Sequence, residues 1–159
     1  MKNLLCVATG IGALSGLNAF AQTGQQPNVV IIVADDLGYG DLSCYGATRI
    51  HTPGMDRIAN EGLRFTQGYC TAATSTPSRY SLLTGLYPWT NKDAKILPGN
   101  AALIINTQQI TLPKVMKQAG YVTGSVGKWH LGLGDKDGEQ DWNAPLPTAL
   151  GDLGFDYSY

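Results

Sequence analysis

The run Asn-Val-Val-Ile-Ile-Val at residues 28–33, in which five β-branched apolar side chains follow one asparagine, limits the folds open to this chain. A run of β-branched side chains without polar alternation is typical of a central parallel strand that is buried on both faces. Similar patterns predict a second strand over 63–69 and a third over 121–126. Helical spacing, with proline before and glycine after, predicts helices over 55–61, 77–83 and 112–119. Strands separated by helices predict an α/β fold with a mostly parallel central sheet flanked by helices.

The first residues have the pattern of an export signal. Lys2 supplies a positive start, residues 4–17 are apolar or small and carry no charge, and Ala19-Phe20-Ala21 has the small-x-small form of a signal-peptidase site. The run is too short to cross a bilayer as a helix. We therefore expect residues 1–21 to be a signal peptide and residues 22–159 to be exported, to the periplasm or the medium. The alternative is a buried N-terminal helix.

Composition excludes some partners. The 11 basic and 12 acidic side chains give a net charge of -1, without the basic excess that binding to nucleic acid or an anionic membrane requires. Three cysteines are too few for a disulfide scaffold. Of these, Cys44 and Cys70 lie in the expected mature chain, as buried thiols or as one optional bridge.

Two adjacent carboxylates, Asp35 and Asp36, follow the first predicted strand. Open α/β sheets place their ligand crevice at the carboxyl ends of strands. Neighbouring carboxylates repel each other, so the pair favours a bound cation, and ligands that are all oxygen point to Ca²⁺ or Mg²⁺ over Zn²⁺. The alternative is a solvated turn in which one aspartate caps the next segment.

A Ser/Thr-rich segment leads into the predicted helix at 77–83. If Pro77 occupies the first helical position, Thr76 is the N-cap and Ser75 lies just outside the helix, near unpaired N–H groups and the positive end of the helix dipole. Arg79 lies in the first turn and can reach the same point. The segment predicts an anion site, and the alternative is an ordinary capped helix.

The third predicted strand ends in Gly-Lys-Trp-His-Leu-Gly. In an extended segment Lys128 and His130 project from the same face, so a cation that binds an anion and an imidazole that moves a proton reach one site. A structural histidine and a solvated lysine are the alternatives. The polar stretch at 132–143 predicts a surface loop. Its Asp135-x-Asp137 start is not a calcium loop, because Gln140 stands where such a loop needs glycine.

Together these motifs resemble the N-terminal part of the sulfatase family, the formylglycine-dependent type within the alkaline phosphatase-like superfamily. The resemblance covers residues 27–159 through four motifs: PNVVIIVADDLGYGD, TPGMDRIA, STPSRYSLLTG and GKWHLG. It implies the alkaline phosphatase-like α/β fold, here incomplete. Members carry cysteine or serine at the first position of the third motif, oxidised to Cα-formylglycine. Ser75 therefore implies the serine type, matured in bacteria by a radical-SAM enzyme before export.

The resemblance also implies roles. Asp35 and Asp36 match calcium ligands, and Ser75, as the hydrated aldehyde, matches the nucleophile and a further calcium ligand. The remaining matches are Arg79 as stabiliser of the hydrate, Lys128 as a sulfate contact and His130 as the base for sulfate elimination.

The implied activity is that of a sulfuric ester hydrolase acting on sulfated glycans or aryl sulfates. The family's other calcium ligands, a second histidine and a second lysine are expected beyond residue 159, so we expect residues 22–159 to be a truncated catalytic domain that is inactive alone. One alternative is a phosphatase or phosphonate hydrolase using unmodified Ser75, which the Asp pair permits but the Pro-Ser-Arg and Lys-Trp-His segments disfavour. The other is a remnant that binds sulfated glycans without cleaving them.

Overall fold

The computed structural model describes residues 26–138 and 140–159. The chain divides into two compact units, one that ends at Asp36 and one that spans Leu37–Tyr159. The predicted signal peptide at residues 1–21 lies outside the described residues. Within the described ranges, every helix is too short or too polar to cross a membrane.

The three predicted helices are confirmed. They are α1 (Pro53–Glu61), α2 (Ser75–Thr84) and α3 (Leu112–Gln118). α1 and α3 each have a proline in the first two positions, where a missing N–H costs nothing because that group has no partner in the helix. Gly85 ends α2 in the left-handed conformation, at φ 69°.

The start of α2 differs from the prediction. Its N-cap is Thr74, so Ser75 is the first helical residue and Pro77 the third. The reason is that all the first-turn N–H groups lack helical partners, so a proline fits the third position as well as the first. Ser75 consequently belongs to the helix instead of preceding it.

The sheet consists of two short parallel strands, β1 (Gly124–Ser125) and β2 (Tyr157–Ser158). Gly124 pairs with Tyr157, and Ser125 with Ser158. β1 lies within the strand predicted at 121–126 and is shorter than predicted. Helices beside a parallel sheet make this an α/β fold, incomplete as it stands.

The strands predicted at 28–33 and 63–69 are not formed. Val30, Ile32 and Leu63 are 80%, 75% and 84% exposed, respectively. A strand buried on both faces requires neighbouring strands for its hydrogen bonds and layers for its side chains. Among the described residues only β1 and β2 pair as a sheet, so these apolar runs have no regular secondary structure and stay exposed.

A small core holds α2 against the segments that follow it. Its buried members are Tyr80, Ala94, Ile105, Leu131 and Leu153. Trp129 packs against this cluster and meets Phe155 edge to face, with 6.2 Å between ring centroids. The core therefore fixes α2 relative to the segment around residue 130.

Residues 101–104 and 131–134 run side by side. Their backbone bonds are Leu133 N to Ala101 O, Leu103 N to Gly134 O and Ile104 N to Leu131 O, at 3.0, 3.0 and 3.1 Å. Gly132 makes the close approach possible, since a Cβ there would lie 1.8 Å from the carbonyl oxygen of Ala102 and its φ is +76°.

The two described cysteines are unpaired thiols. Cys44 is half-buried, as expected for a packed thiol, whereas Cys70 is exposed. The expectation of a buried thiol is therefore wrong for Cys70, which lies in the uncovered segment before α2.

Candidate active site

The first turn of α2 brings Ser75 and Arg79 together. Residues four apart lie on one face of a helix, and Arg79 Nε donates a hydrogen bond to Ser75 Oγ over 2.8 Å. Ser75 is half-buried and stands at the helix N-terminus. Its oxygen therefore lies beside a fixed positive charge and at the positive end of the helix dipole.

A histidine from a distant part of the chain completes the arrangement. His130 Nδ1 lies 3.1 Å from Ser75 Oγ, although 55 positions separate the two residues. The backbone of His130 is left-handed, with φ 56°, an unusual conformation for a residue with a side chain. Such strain persists only where surrounding contacts impose it, and it is common at functional sites.

The other ring nitrogen determines which tautomer is present. His130 Nε2 lies 3.0 Å from the backbone carbonyl oxygen of Leu97. A carbonyl only accepts, so in the neutral ring Nε2 carries the hydrogen and Nδ1 has the free lone pair. Ser75 Oγ then accepts from Arg79 and donates to His130. The serine proton thus faces a base while its oxygen faces a cation.

Lys128 joins the site in a way that differs from the prediction. The backbone after β1 is not extended, because Gly127 (φ 100°) and His130 (φ 56°) both turn it. The Lys128 carbonyl oxygen accepts a hydrogen bond from Arg79 Nη1 at 2.5 Å. Lys128 is itself exposed and, like His130, lines a cleft of about 310 Å³ together with Pro98, Gly99, Trp129, Gly132 and Leu133.

The carboxylates of Asp35 and Asp36 belong to the other unit. Both residues are exposed, and Asp36 is left-handed, with φ 59°. Ca²⁺ binds carboxylate oxygens, and it takes six to eight oxygen ligands in total. The two aspartates could therefore supply part of its coordination shell. Across residues 26–138 and 140–159, no cluster of three or more His, Cys, Asp or Glu side chains is gathered for a metal.

Sequence reasoning missed two contributions. Thr76, expected only as a cap, is fully buried and donates from Oγ1 to the His130 carbonyl oxygen at 2.9 Å. Its position between the serine and the proline of the motif was the available signal. Leu97 acts through a backbone carbonyl, which every residue has, so no residue type could have revealed it.

A comparison with known families settles what kind of chain this is. The sequence profile of the Sulfatase family matches residues 27–159, most of the chain. The chain belongs to the sulfatase family. This sulfatase chain is 51% identical, over 167 aligned positions, to an N-acetylgalactosamine-6-O-sulfatase of Bacteroides thetaiotaomicron. The alignment covers 100% of the chain and 32% of that relative, so the chain spans about a third of the relative's length.

Solved structures agree with this membership. One, from work on the metabolism of multiple glycosaminoglycans by Bacteroides thetaiotaomicron, has a TM-score of 0.81 and 55% identity, covering 84% of this sulfatase chain and 28% of its own. Another, in complex with its substrate D-glucosamine-2-N,6-O-disulfate, has a TM-score of 0.62 and 38% identity over 84% and 23% of the two chains. The alkaline phosphatase-like α/β fold implied by the family resemblance is confirmed.

Proposed function

We propose that the catalytic domain to which this chain contributes is that of a sulfuric ester hydrolase, which removes sulfate from sulfated glycans. The observation that carries the proposal is the position of Ser75 Oγ, which accepts from Arg79 at 2.8 Å and lies 3.1 Å from His130 Nδ1. Support for the substrate class comes from the relative named N-acetylgalactosamine-6-O-sulfatase and from the neighbour that holds a sulfated glucosamine.

Ser75 is the residue that a radical-SAM maturase would convert to Cα-formylglycine. The hydrated aldehyde supplies one hydroxyl to attack sulfur and a second through which sulfate is expelled, a route that a sulfated serine lacks. The first turn of α2 suits this residue, because its backbone N–H groups have no partners in the helix and the helix dipole favours negative charge there.

Arg79 stabilises negative charge on the oxygen of residue 75. Its Nε donates to that oxygen, and its Nη1 donates to the Lys128 carbonyl, so the guanidinium is held at two points. A donor that is already in place as charge develops lowers the barrier without first reorganising. Lys128, at the rim of the cleft, supplies a second cation for the sulfate oxygens.

His130 is the base. Its Nε2–H is committed to Leu97 O, so Nδ1 is free to take a proton from the oxygen of residue 75. The imidazole is half-buried and lines the cleft.

Asp35 and Asp36 are proposed as calcium ligands, supported by their oxygen donors and their adjacency. When bound, the cation supplies positive charge for the sulfate oxygens. Ser75 as a further calcium ligand stays a prediction. Export, to the periplasm or the medium, is proposed from the pattern of residues 1–21 and is checked by the N-terminus of the mature protein.

The test begins with mass spectrometry of the peptide that contains Ser75, in protein from its native host. A loss of two hydrogens at Ser75, together with sulfate release from 6-O-sulfated amino sugars that Ser75→Ala abolishes, supports the proposal. An unmodified Ser75 with hydrolysis of phosphate esters would identify a phosphatase. Binding of sulfated sugars without any release of sulfate would identify a binding protein, and either result overturns the proposal.

A further inference from the structure

The tautomer of His130 depends on one backbone carbonyl. Neutral imidazole can carry its hydrogen on either nitrogen, and only the Nε2–H form leaves Nδ1 able to accept from residue 75. Leu97 O, 3.0 Å from Nε2, selects that form. Any displacement of Leu97 O therefore allows the ring to carry its hydrogen on Nδ1. A protonated Nδ1 cannot accept a proton from residue 75.

The segment that carries this carbonyl is a surface turn. Ala101 N donates to Pro98 O at 3.2 Å, so the turn begins immediately after Leu97. Pro98 and Gly99 are exposed and also line the cleft. An exposed turn needs bonds to other segments to keep its carbonyl in place.

The polar loop after Gly134 supplies two of those bonds, in addition to the bond from Leu133 N to Ala101 O. Asp137 Oδ1 accepts from Ala102 N at 2.8 Å, and Gly138 N donates to Asn100 O at 3.0 Å. Both bonds hold the far side of the turn. Asp137 is the residue whose side chain takes part in one of these two bonds, and this role requires only an oxygen acceptor at the position of Oδ1.

We propose that Asp137 is a positioning residue for His130: by holding Ala102, it keeps the Leu97 carbonyl where it selects the Nε2–H tautomer. The inference rests on the proposed function, in which His130 Nδ1 takes a proton from residue 75. Asp137 itself touches neither residue 75 nor His130 and acts through the 97–102 turn.

Three variants separate the hydrogen bond from the charge. Asp137→Ala removes the acceptor and the charge. Asp137→Asn removes the charge and keeps an amide oxygen that accepts from Ala102 N. Asp135→Ala removes an exposed charge from the same loop, two residues away, and is the matched control.

The measurement is the ¹⁵N chemical shift of the imidazole nitrogens in the 159-residue chain, at about pH 8.5, where an ordinary histidine is neutral. The chain has only two histidines, so His51→Gln assigns the spectrum. We expect the wild type, Asp137→Asn and Asp135→Ala to show protonated Nε2 and unprotonated Nδ1. Asp137→Ala should show Nδ1–H in addition. Where residues 22–159 form part of a complete catalytic domain, the same substitution should lower kcat about tenfold and leave KM unchanged.

Three results overturn the inference: a wild-type ring with Nδ1–H, unchanged ring shifts in Asp137→Ala, or an equal change in Asp135→Ala. If Asp137→Ala does not fold, Asp137→Ser takes its place, because its shorter side chain does not reach Ala102. The shifts are read without any substrate, so a protein that lacks formylglycine and sulfatase activity contradicts the proposed function while leaving this test intact.

Discussion

The hydroxyl of Thr76 donates a hydrogen bond to the backbone carbonyl of His130, with 2.9 Å between the two oxygens. Thr76 is fully buried and adjoins Ser75 in the first turn of α2. One bond thus ties the helix that carries the candidate nucleophile to the segment that carries the candidate base. It also helps to hold His130 at φ 56°, a conformation that costs about 1–3 kcal/mol in a residue other than glycine.

Replacing Thr76 with valine keeps the shape and removes the donor. We expect Thr76→Val to lower the free energy of unfolding by about 1–3 kcal/mol, since it leaves a carbonyl without its partner, and to lower kcat as His130 shifts. Urea denaturation and steady-state kinetics measure the two effects. The control is Thr84→Val, which removes a bond within α2, from Thr84 Oγ1 to Tyr80 O. Equal kcat values for the two variants would contradict the role given to Thr76.

Near the site, Gly132 is the position where we expect an added methyl group to be most destabilising. Its Cβ would lie 1.8 Å from Ala102 O, so Gly132→Ala must separate two segments joined by three backbone bonds. We expect the melting temperature to fall sharply and the site to be lost. Gly46→Ala is the control, because its φ of +101° carries the same kind of backbone strain with open space around the new methyl group. A similar loss in both variants would show that the backbone conformation, not the close contact, is what matters.

Arg79 holds Ser75 through geometry as well as charge. A lysine ammonium is a single point and cannot bond Ser75 Oγ and Lys128 O as the planar guanidinium does. We expect Arg79→Lys to lower kcat/KM for sulfate esters by about a hundredfold. The exposed Arg57→Lys in α1 is the matched control and should behave as wild type. Retention of full activity by Arg79→Lys would mean that charge alone suffices.

Asp156 makes the stability of the sheet dependent on acid pH. The hydrogen bond from Lys117 Nζ, followed by that from Thr123 N, lowers the pKa of Asp156 to about 2. A carboxyl whose pKa is lower in the folded state stabilises the fold above its unfolded pKa of about 4, and that stability disappears as the pH falls through about 2. We expect Asp156→Asn to reduce the dependence of the melting temperature on pH between about pH 4 and 2. Asp93→Asn, an exposed substitution of the same kind, should leave the wild-type slope, and the same slope in both variants would exclude Asp156 as its source.

Local signals predicted the helices well. The ends of α1 and α3 follow from proline and glycine, which act on the backbone within a few residues. The pairing of Arg79 with Ser75 also follows from sequence, because four residues of helix bring the two side chains together whichever of them begins the helix. The local patterns were wrong for the strands at 28–33 and 63–69. A hydrophobic run indicates that its side chains should be buried, but it forms a strand only where neighbouring strands are present to pair with it.

Family membership, the position of Ser75 at a helix N-terminus and its pairing with Arg79 follow from the sequence, since they depend on motifs and on contacts within about one turn of helix. Three contacts could be found only from the folded chain: His130 reaches Ser75 across 55 positions, the Lys128 carbonyl accepts from Arg79, and Leu97 O selects the tautomer of His130. These contacts depend on how the core packs α2 against the segment after β1, and two of them use backbone carbonyls. Backbone groups are the same in every residue, so their partners are set by the path of the chain.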